Sequence, residues 1–429
     1  MAAPAHLAVD ARGVPKARYL SPDFLSLELE RIFRRTWLVA GPASDLEHPG
    51  SFFTFEIAGE SILVVRGDDG ARAFHNVCQH RGRALRDPGR GQARTFRCPY
   101  HHWEYALDGT LIAVPEAASF ASCPRAGAVP LGTRGSLPIA ASRESLGLTP
   151  VACELWQGLV WVHLGASPEP LSEFLGTIGP RIAAYDLASY VLEQDQTLDL
   201  DCNWKVGVDA FNEAYHLRAV HPELLELLDE TRATLELEGA HSVIRVPFGE
   251  PSPSAPHRDA IGDLLGRWMR DAGLEPETYR GPLSGVRDAV RATLRARTDI
   301  DVAGLDDDQL TDNFQFYVFP NLTLNVYATR LMLLRHRPHP TDPGRMLLDQ
   351  QQYARIPRDA KRSRPTPEVG RFGSGSLGFV TDQDTHNLVR VQRGMQSSGF
   401  ERLVLGSLER RLAHMHETMD RYLFGASSG

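Results

Sequence analysis

The sequence predicts an α+β chain: an N-terminal antiparallel β domain followed by a larger domain that combines an antiparallel sheet with helices. Three observations predict it. Short β-branched and aromatic runs, separated by turn residues, fill the stretch from Trp37 to Leu164. Helical and strand-like patterns then mix from residue 171 onward. Between the two, Pro168 and Pro170 mark a boundary near 165–172. The expected division is an N-terminal arm at 1–36, a first domain at 37–165 and a second domain at 166–429.

The arm is mostly polar and should be extended, with a short helix. SFFTFEI (51–57) and SILVVRG (61–67) read as strands, Gly67-Asp68-Asp69-Gly70 as a turn, and GLVWVHL (158–164) as a buried strand. LSEFLGTIGPRIAAYD has a helical pattern that Pro180 should interrupt. NWKVGVDAFNEAYHLRAVH (203–221) has helical spacing through its middle and should end at His221, because Pro222 disfavours helical dihedrals there. PSPSAPH (251–257) is a loop, and amphipathic helices are expected near 259–272 and 283–298. FQFYVF (314–319), LTLNVYA (322–328) and MLLDQQQYAR (346–355) read as antiparallel strands, 362–378 as a loop and 384–423 as helices.

Composition narrows the function class. The 429 residues are 42% apolar and 23% charged, enough for a sizeable core. A net charge of -8 argues against non-specific nucleic-acid binding, which needs clustered positive charge. No apolar run reaches the roughly 18–20 residues of a membrane span, and the N-terminus lacks a signal-peptide pattern, so a cytoplasmic protein is expected. Five cysteines (Cys78, Cys98, Cys123, Cys153 and Cys202) are too few for a disulfide scaffold. The 16 histidines carry more information, because several stand at ligand spacings.

Cys78-Gln79-His80 is followed after seventeen residues by Cys98-Pro99-Tyr100-His101. Such a C-x-H…C-x2-H pattern arises by chance in roughly one chain per thousand of this composition. Cys2His2 also suits structural zinc. Zinc fingers, however, usually pair Cys with Cys and His with His along the chain, whereas here each loop supplies one of each. A Rieske [2Fe–2S] centre, with two Cys on one iron and two His on the other, requires that arrangement. Two neutral imidazoles in place of thiolates raise the potential to roughly -150 to +300 mV, so such a cluster accepts electrons readily.

VCQHRG and CPYHHWEY resemble the Rieske loops of the aromatic-ring-hydroxylating (Rieske non-haem iron) oxygenases, large subunit. Neither loop has the extra Cys of respiratory-type Rieske proteins. The family usually has Gly after the second His, where this chain has His102; the C-x2-H spacing selects His101 as the ligand. NWKVGVDAFNEAYHLRAVH resembles the NWK…E-x-Y-H-x4-H segment of the same family. Alone, H-x4-H is weak, since about 0.6 such pairs are expected by chance. In this context it implies that His216 and His221 bind a mononuclear Fe(II), which needs a 2-His-1-carboxylate triad. Residues five apart on a regular helix diverge by about 140°, so the helix must distort or end for them to converge. TDQDTHNLVRVQRG (381–394) resembles the family's acidic segment, which implies Asp384 as third ligand, with Asp382 the alternative. Glu213, three residues before His216, would flank the same helix face. In the family a carboxylate there bridges to a Rieske histidine of a neighbouring subunit, which implies His101 as its partner.

The resemblance covers about residues 35–420. It implies a Rieske β-domain of sandwich-like form, a helix-grip catalytic domain and a homotrimer, with or without a small beta subunit. It also implies electrons from NAD(P)H through a separate reductase, with or without a ferredoxin, because the chain has no Gly-rich dinucleotide fingerprint. The reaction implied is O2-dependent hydroxylation, chiefly dihydroxylation, of an aromatic or other apolar ring. Monooxygenation or demethylation of an O-methyl, N-methyl or quaternary-amine substrate is the alternative, to which Glu213 points. Leu264, Leu265, Trp268 and Met269 are candidates for lining an entrance, and Phe314, Phe316, Tyr317 and Phe319 for core or substrate contact.

Overall fold

The computed structural model describes residues 8–9, 13–116, 146–255, 260–357, 360, 363–373 and 376–425; Cys123 and part of the 251–257 loop lie outside them. The chain forms two compact units, Val39–Pro168 and Met1–Leu38 with Glu169–Gly429. The N-terminal segment expected as a separate arm therefore belongs to the second unit. It forms helices at Ala17–Leu20 and Pro22–Glu28, the latter capped by the Ser21 hydroxyl on Phe24 N–H.

In the first unit, seven strands form one sheet in the order Leu38–Pro42, Leu159–His163, Pro150–Trp156, Ala71–His75, Glu60–Arg66, Ser51–Ile57 and Arg90–Gln92, with antiparallel pairing from Leu159–His163 onward. A three-stranded sheet (Phe96–Arg97, Glu104–Tyr105, Leu111–Ala113) carries the Cys98–His101 segment between its first two strands. Its core joins Leu63, Val65, Phe74, Phe96 and Tyr105 to the two motif cysteines. Gly109 makes this packing possible: its φ is +86°, and a Cβ there would lie 2.5 Å from the Phe74 ring.

The second unit is built on an eight-stranded sheet, ordered Thr234–Glu238, His241–Val246, Asn313–Val318, Leu322–Val326, Arg330–Pro338, Met346–Ala354, Val191–Leu200 and Glu368–Arg371. All pairs are antiparallel except the last, which is parallel. That last strand falls in the stretch expected to be loop. Register aligns Ile244, Gln315, Asn325, Met332 and Gln352 across five neighbouring strands. With a side-chain period of two they share one face. Phe314 and Phe316 therefore point the other way, and Phe316, Tyr317 and Phe319 are core residues, at most 1% exposed.

The helical pattern after Pro170 breaks at Gly176 (φ +50°), not at Pro180, which sits in the first turn of the Ile178–Ala183 helix where a missing N–H costs nothing. The 203–221 segment is also broken. Asn203 caps the Trp204–Phe211 helix through Lys205 N–H (3.0 Å), the helix stops, and a single turn resumes at Leu217–Val220. Trp204 and Lys205 are anchored by Glu28 of the N-terminal segment: Nε1 donates at 3.1 Å and Nζ at 2.7 Å, with both charged side chains fully buried. Burial pushes the Glu28 carboxyl up and the Lys205 amine down, and each is opposed by its partner. Removing either partner would strand a buried charge at a cost of about 3–5 kcal/mol.

Candidate functional site

Cys78 and His80 lie on the loop that leaves the Ala71–His75 strand; Cys98 and His101 lie on the loop that leaves Phe96–Arg97. Each loop closes on its own backbone. Cys78 N–H donates to Arg83 C=O (2.9 Å) and Gly82 N–H to Cys78 C=O (3.0 Å). Cys98 N–H donates to Trp103 C=O (2.8 Å) and His102 N–H to Cys98 C=O (3.0 Å). Both closures use a left-handed residue, Gly82 at φ +74° and His102 at +61°. The position where the related loops carry Gly is thus one that suits Gly, and His102 occupies it against a steric cost of about 1–2 kcal/mol.

Both thiols are buried. Burial pushes the Cys78 thiol up, the Tyr105 hydroxyl 3.3 Å from its sulfur pulls it down, and the adjacent Cys98 thiol raises it again. The His80 and His101 rings meet edge-on with centroids 4.5 Å apart, and Trp103 stacks on His80 at 4.8 Å. Burial, with the neighbouring His101 and Arg81, holds the His80 pKa down, which favours the neutral imidazole a metal requires. The donors thus form a sulfur pair and a nitrogen pair. One tetrahedral zinc would draw all four donors to within ~4 Å of each other. Among the described residues, the group of three or more such donors gathered within 4.8 Å is a different one, in the other unit. The residues present therefore fit a two-iron cluster better than a single zinc.

That other group is His216, His221 and Asp384. Asp384 sits in the second turn of the Phe379–Met395 helix, and its Oδ1 lies 2.9 Å from His221 Nε2 and 3.6 Å from His216 Nε2. The break after Phe211 lets the two imidazoles converge, with ring centroids 5.2 Å apart. Each Nδ1 is held from behind: His216 by Glu213 Oε1 (2.5 Å) and His221 by Gln383 Oε1 (2.7 Å), whose amide nitrogen donates to Glu223 (2.8 Å). An oxygen at Nδ1 places the proton there and leaves both Nε2 lone pairs facing the carboxylate, as metal-ligating histidines require. Burial lowers the His221 pKa, but the Asp384 hydrogen bond and charge raise it overall. The three donors fit a mononuclear ion with open positions. Gln392 Oε1, accepting from Asn203 N–H at 3.0 Å, ties the carboxylate's helix to the histidines' segment.

Glu213 is not on a helix, as its spacing had suggested. It lies in the break, where Oε2 accepts from the N–H groups of Tyr215 and His216 (3.1 Å for the latter) and holds the turn that presents His216. Asp382 is committed elsewhere: its Oδ1 accepts from Leu377 N–H (2.8 Å) and its Oδ2 from the Ser376 hydroxyl. Sequence reasoning missed Gln383 and Glu223. The only available signal was an amide next to Asp384 in a segment already singled out.

The triad faces a cavity of about 410 Å³, whose floor is the cross-strand row Ile244, Gln315, Asn325, Met332 and Gln352. Phe211, Phe248, Tyr327 and Phe379 supply aromatic wall. Of the four proposed entrance residues, Leu264 lines this cavity, Trp268 lines an adjoining chamber of about 150 Å³, and Leu265 and Met269 are core. The chamber shares Leu227, Phe248, Leu264, Arg267, Tyr327 and Arg330 with the cavity. Among the described residues, no helix is long and apolar enough to cross a membrane.

A family model described as the ring-hydroxylating alpha subunit (catalytic domain) matches residues 187–425, and one described as the Rieske [2Fe-2S] domain matches residues 36–124. The chain is 32% identical over 228 residues to the glycine betaine monooxygenase oxygenase subunit of Chromohalobacter salexigens, covering 52% of this chain and 47% of that protein. It is 28% identical over 247 residues to the carnitine monooxygenase oxygenase subunit of Escherichia coli (strain K12), covering 57% and 61%. The chain spans about half the length of the curated relatives it matches. In structure it is similar to naphthalene 1,2-dioxygenase with indole bound in the active site (TM-score 0.67, 18% identity), covering 99% of each chain.

Proposed function

The chain belongs to the ring-hydroxylating alpha-subunit family and carries a Rieske [2Fe–2S] domain, and on that premise we propose that it is the terminal oxygenase of a multicomponent system acting on a methylated quaternary amine. The observation that carries the oxygenase reading is the convergence of His216, His221 and Asp384 on a cavity large enough for a small organic substrate. When bound, the cluster held by Cys78, His80, Cys98 and His101 supplies single-electron transfer, and the Fe(II) held by the triad supplies dioxygen activation. Electrons come from NAD(P)H through a separate reductase. One O2, two electrons and two protons then give one hydroxylated carbon and one water.

Glu213 holds the His216 ring and offers a carboxylate route to His101 of a neighbouring subunit in a ring-shaped homo-oligomer. Two aromatic side chains support such an interface: Tyr100, beside His101, is 56% exposed, and Tyr215, beside His216, is 65% exposed. The substrate class rests on the quaternary-amine relatives and on the cavity wall. Phe211, Phe248, Tyr327 and Phe379 give aromatic faces that favour a methylammonium cation. Hydroxylation of an N-methyl carbon would release formaldehyde. The second reading, dihydroxylation of an apolar ring, draws on the aliphatic wall of Leu217, Leu224, Leu228 and Met332.

The test reconstitutes the protein with iron, sulfide and a surrogate reductase and follows oxygen uptake with NADH. Trimethylammonium compounds are expected to drive uptake and formaldehyde release, with arenes inert. Arene-driven uptake, with silence on every methylammonium compound, would establish the second reading instead.

A further inference from the structure

The cavity floor carries amides whose orientation is dictated from behind the sheet's row. Arg411, on the Arg410–Phe424 helix, is buried, and its Nε donates to the Ser242 hydroxyl at 2.7 Å. Its Nη1 donates to Gln315 Oε1 and its Nη2 to the Gln315 carbonyl at 2.9 Å. A guanidinium has donors only, so the Gln315 amide must turn its oxygen toward Arg411 and its nitrogen away. That nitrogen donates to Oδ1 of Asn325, the cross-strand neighbour, at 3.0 Å. Asn313 Nδ2 donates to the same oxygen at 3.3 Å. Two donors on Oδ1 fix the Asn325 amide in turn. Its Nδ2 ends the chain, and among the described residues no group accepts its protons. Asn325 is only 4% exposed and lines the cavity beside Met332 and Gln352, so this donor opens onto it.

A polar layer serving stability alone would satisfy its own members. This one does not: among the described residues Asn313 Oδ1 is buried without a partner, and Asn325 Nδ2 is spare. Ile244 and Met332 show that apolar residues fit the same row. Pockets for small molecules place a few fixed polar groups among apolar walls in this way. A single neutral donor suits an uncharged oxygen. A carboxylate there would lose more hydration than one amide returns.

We infer that Asn325 determines specificity in the substrate site: its Nδ2, aimed by the Arg411–Gln315 chain, receives an uncharged acceptor oxygen of the substrate. An ether, carbonyl or hydroxyl oxygen meets that requirement. Arg411 and Gln315 are positioning residues, since they fix which end of the Asn325 amide meets the ligand. The inference rests on the reading of this cavity as the substrate site, and on neither substrate class.

The test uses two pairs of probes in which one CH2 becomes O: butyltrimethylammonium against (2-methoxyethyl)trimethylammonium, and ethylbenzene against anisole. Kd is read by calorimetry on the oxidised, iron-loaded protein, and KM from oxygen uptake. In wild type the oxygen member of the bound pair should bind at least as tightly as its hydrocarbon partner. In Asn325→Leu that ratio should fall about 3- to 10-fold, as for loss of one neutral hydrogen bond. In Gln315→Glu the introduced carboxylate keeps Arg411 as a partner but offers Asn325 an acceptor instead of a donor. The Asn325 amide must then turn and present Oδ1 to the cavity, so the ratio should fall further than in Asn325→Leu. Both members of a pair feel the added charge alike, so the ratio reports the hydrogen bond. An undiminished ratio in Asn325→Leu, or a wild-type ratio in Gln315→Glu, overturns the inference, as does failure of all four probes to bind. Turnover of the arene pair alone overturns the quaternary-amine reading, while the ratio in Asn325→Leu still decides the role of Asn325.

Discussion

In the first unit the four proposed cluster ligands come from two loops seventeen residues apart, each closed by its own backbone hydrogen bonds. In the second, two histidines come from the broken end of a helix and the carboxylate from a helix 163 residues further along. The loop pair needs only local closure and a buried pocket. The triad needs three long-range ties: Gln392 to Asn203, Gln383 to His221, and Thr381 Oγ1 to Gln350 on the sheet at 2.8 Å. A metal site made of loops is set mainly by its own sequence; a site made of helix ends is set by the packing of the elements that carry it.

Single substitutions should separate the two plans. Asp384→Ala should abolish turnover, by at least about 1,000-fold, and lower iron content by one per chain while leaving the cluster's visible spectrum intact; Cys98→Ser should do the reverse to the spectrum. Wild-type activity in Asp384→Ala would remove that residue from the ligand set. Glu213→Gln should keep both metals but slow reoxidation of the reduced cluster by about 10- to 100-fold in single-turnover absorbance measurements. An unchanged rate would leave Glu213 only its turn-holding role.

Acid should act on the second unit through its sheet. Burial pushes His336 down to about 3 and His241 down to about 4. His336 is fully buried, and neither ring nitrogen finds a partner among the described residues. A histidine whose pKa is depressed in the folded state contributes stability above its ordinary pKa. That stability is lost as pH falls from about 6.5 toward the folded value. Each group should thus cost about 2 kcal/mol between pH 7 and pH 5. Urea titrations should show a smaller loss over that interval in His336→Leu than in wild type. The smallest effect belongs to the loops: His102→Gly should stabilise the first unit by up to about 1 kcal/mol, because glycine tolerates φ +61°. A lower melting temperature in that variant would mean that the His102 side chain contributes more than its backbone costs.

The loops were legible because their chemistry and their geometry share a few consecutive residues. The strands at 51–57 and 60–66 were legible for a similar reason: β-branched and aromatic runs bounded by turn residues need no distant information. Asp384 could be picked out only through family resemblance, since nothing near it in sequence says that it will meet His221. The helix break was half legible. Ligand spacing demanded a distortion and Pro222 supplied an end, but the break itself falls at Asn212, where Glu213 captures the backbone. The cavity floor was not legible at all. Ile244, Gln315, Asn325, Met332 and Gln352 become neighbours only through strand register, and a shift of one residue would have put Phe314 and Phe316 there instead. The Lys205–Glu28 pair likewise joins residues 177 apart, which no local pattern foretells.

The interrupted helix has a thermodynamic corollary. Leu217–Val220 is one turn long, with no buried side chain of its own, and a lone turn does not persist in water. A cation gripping the flanking imidazoles would serve as a cross-brace for this stretch. Occupancy and local order then become one equilibrium observed twice, and chelation should loosen the amides of residues 212–221 ahead of any others in the unit, as hydrogen exchange can register.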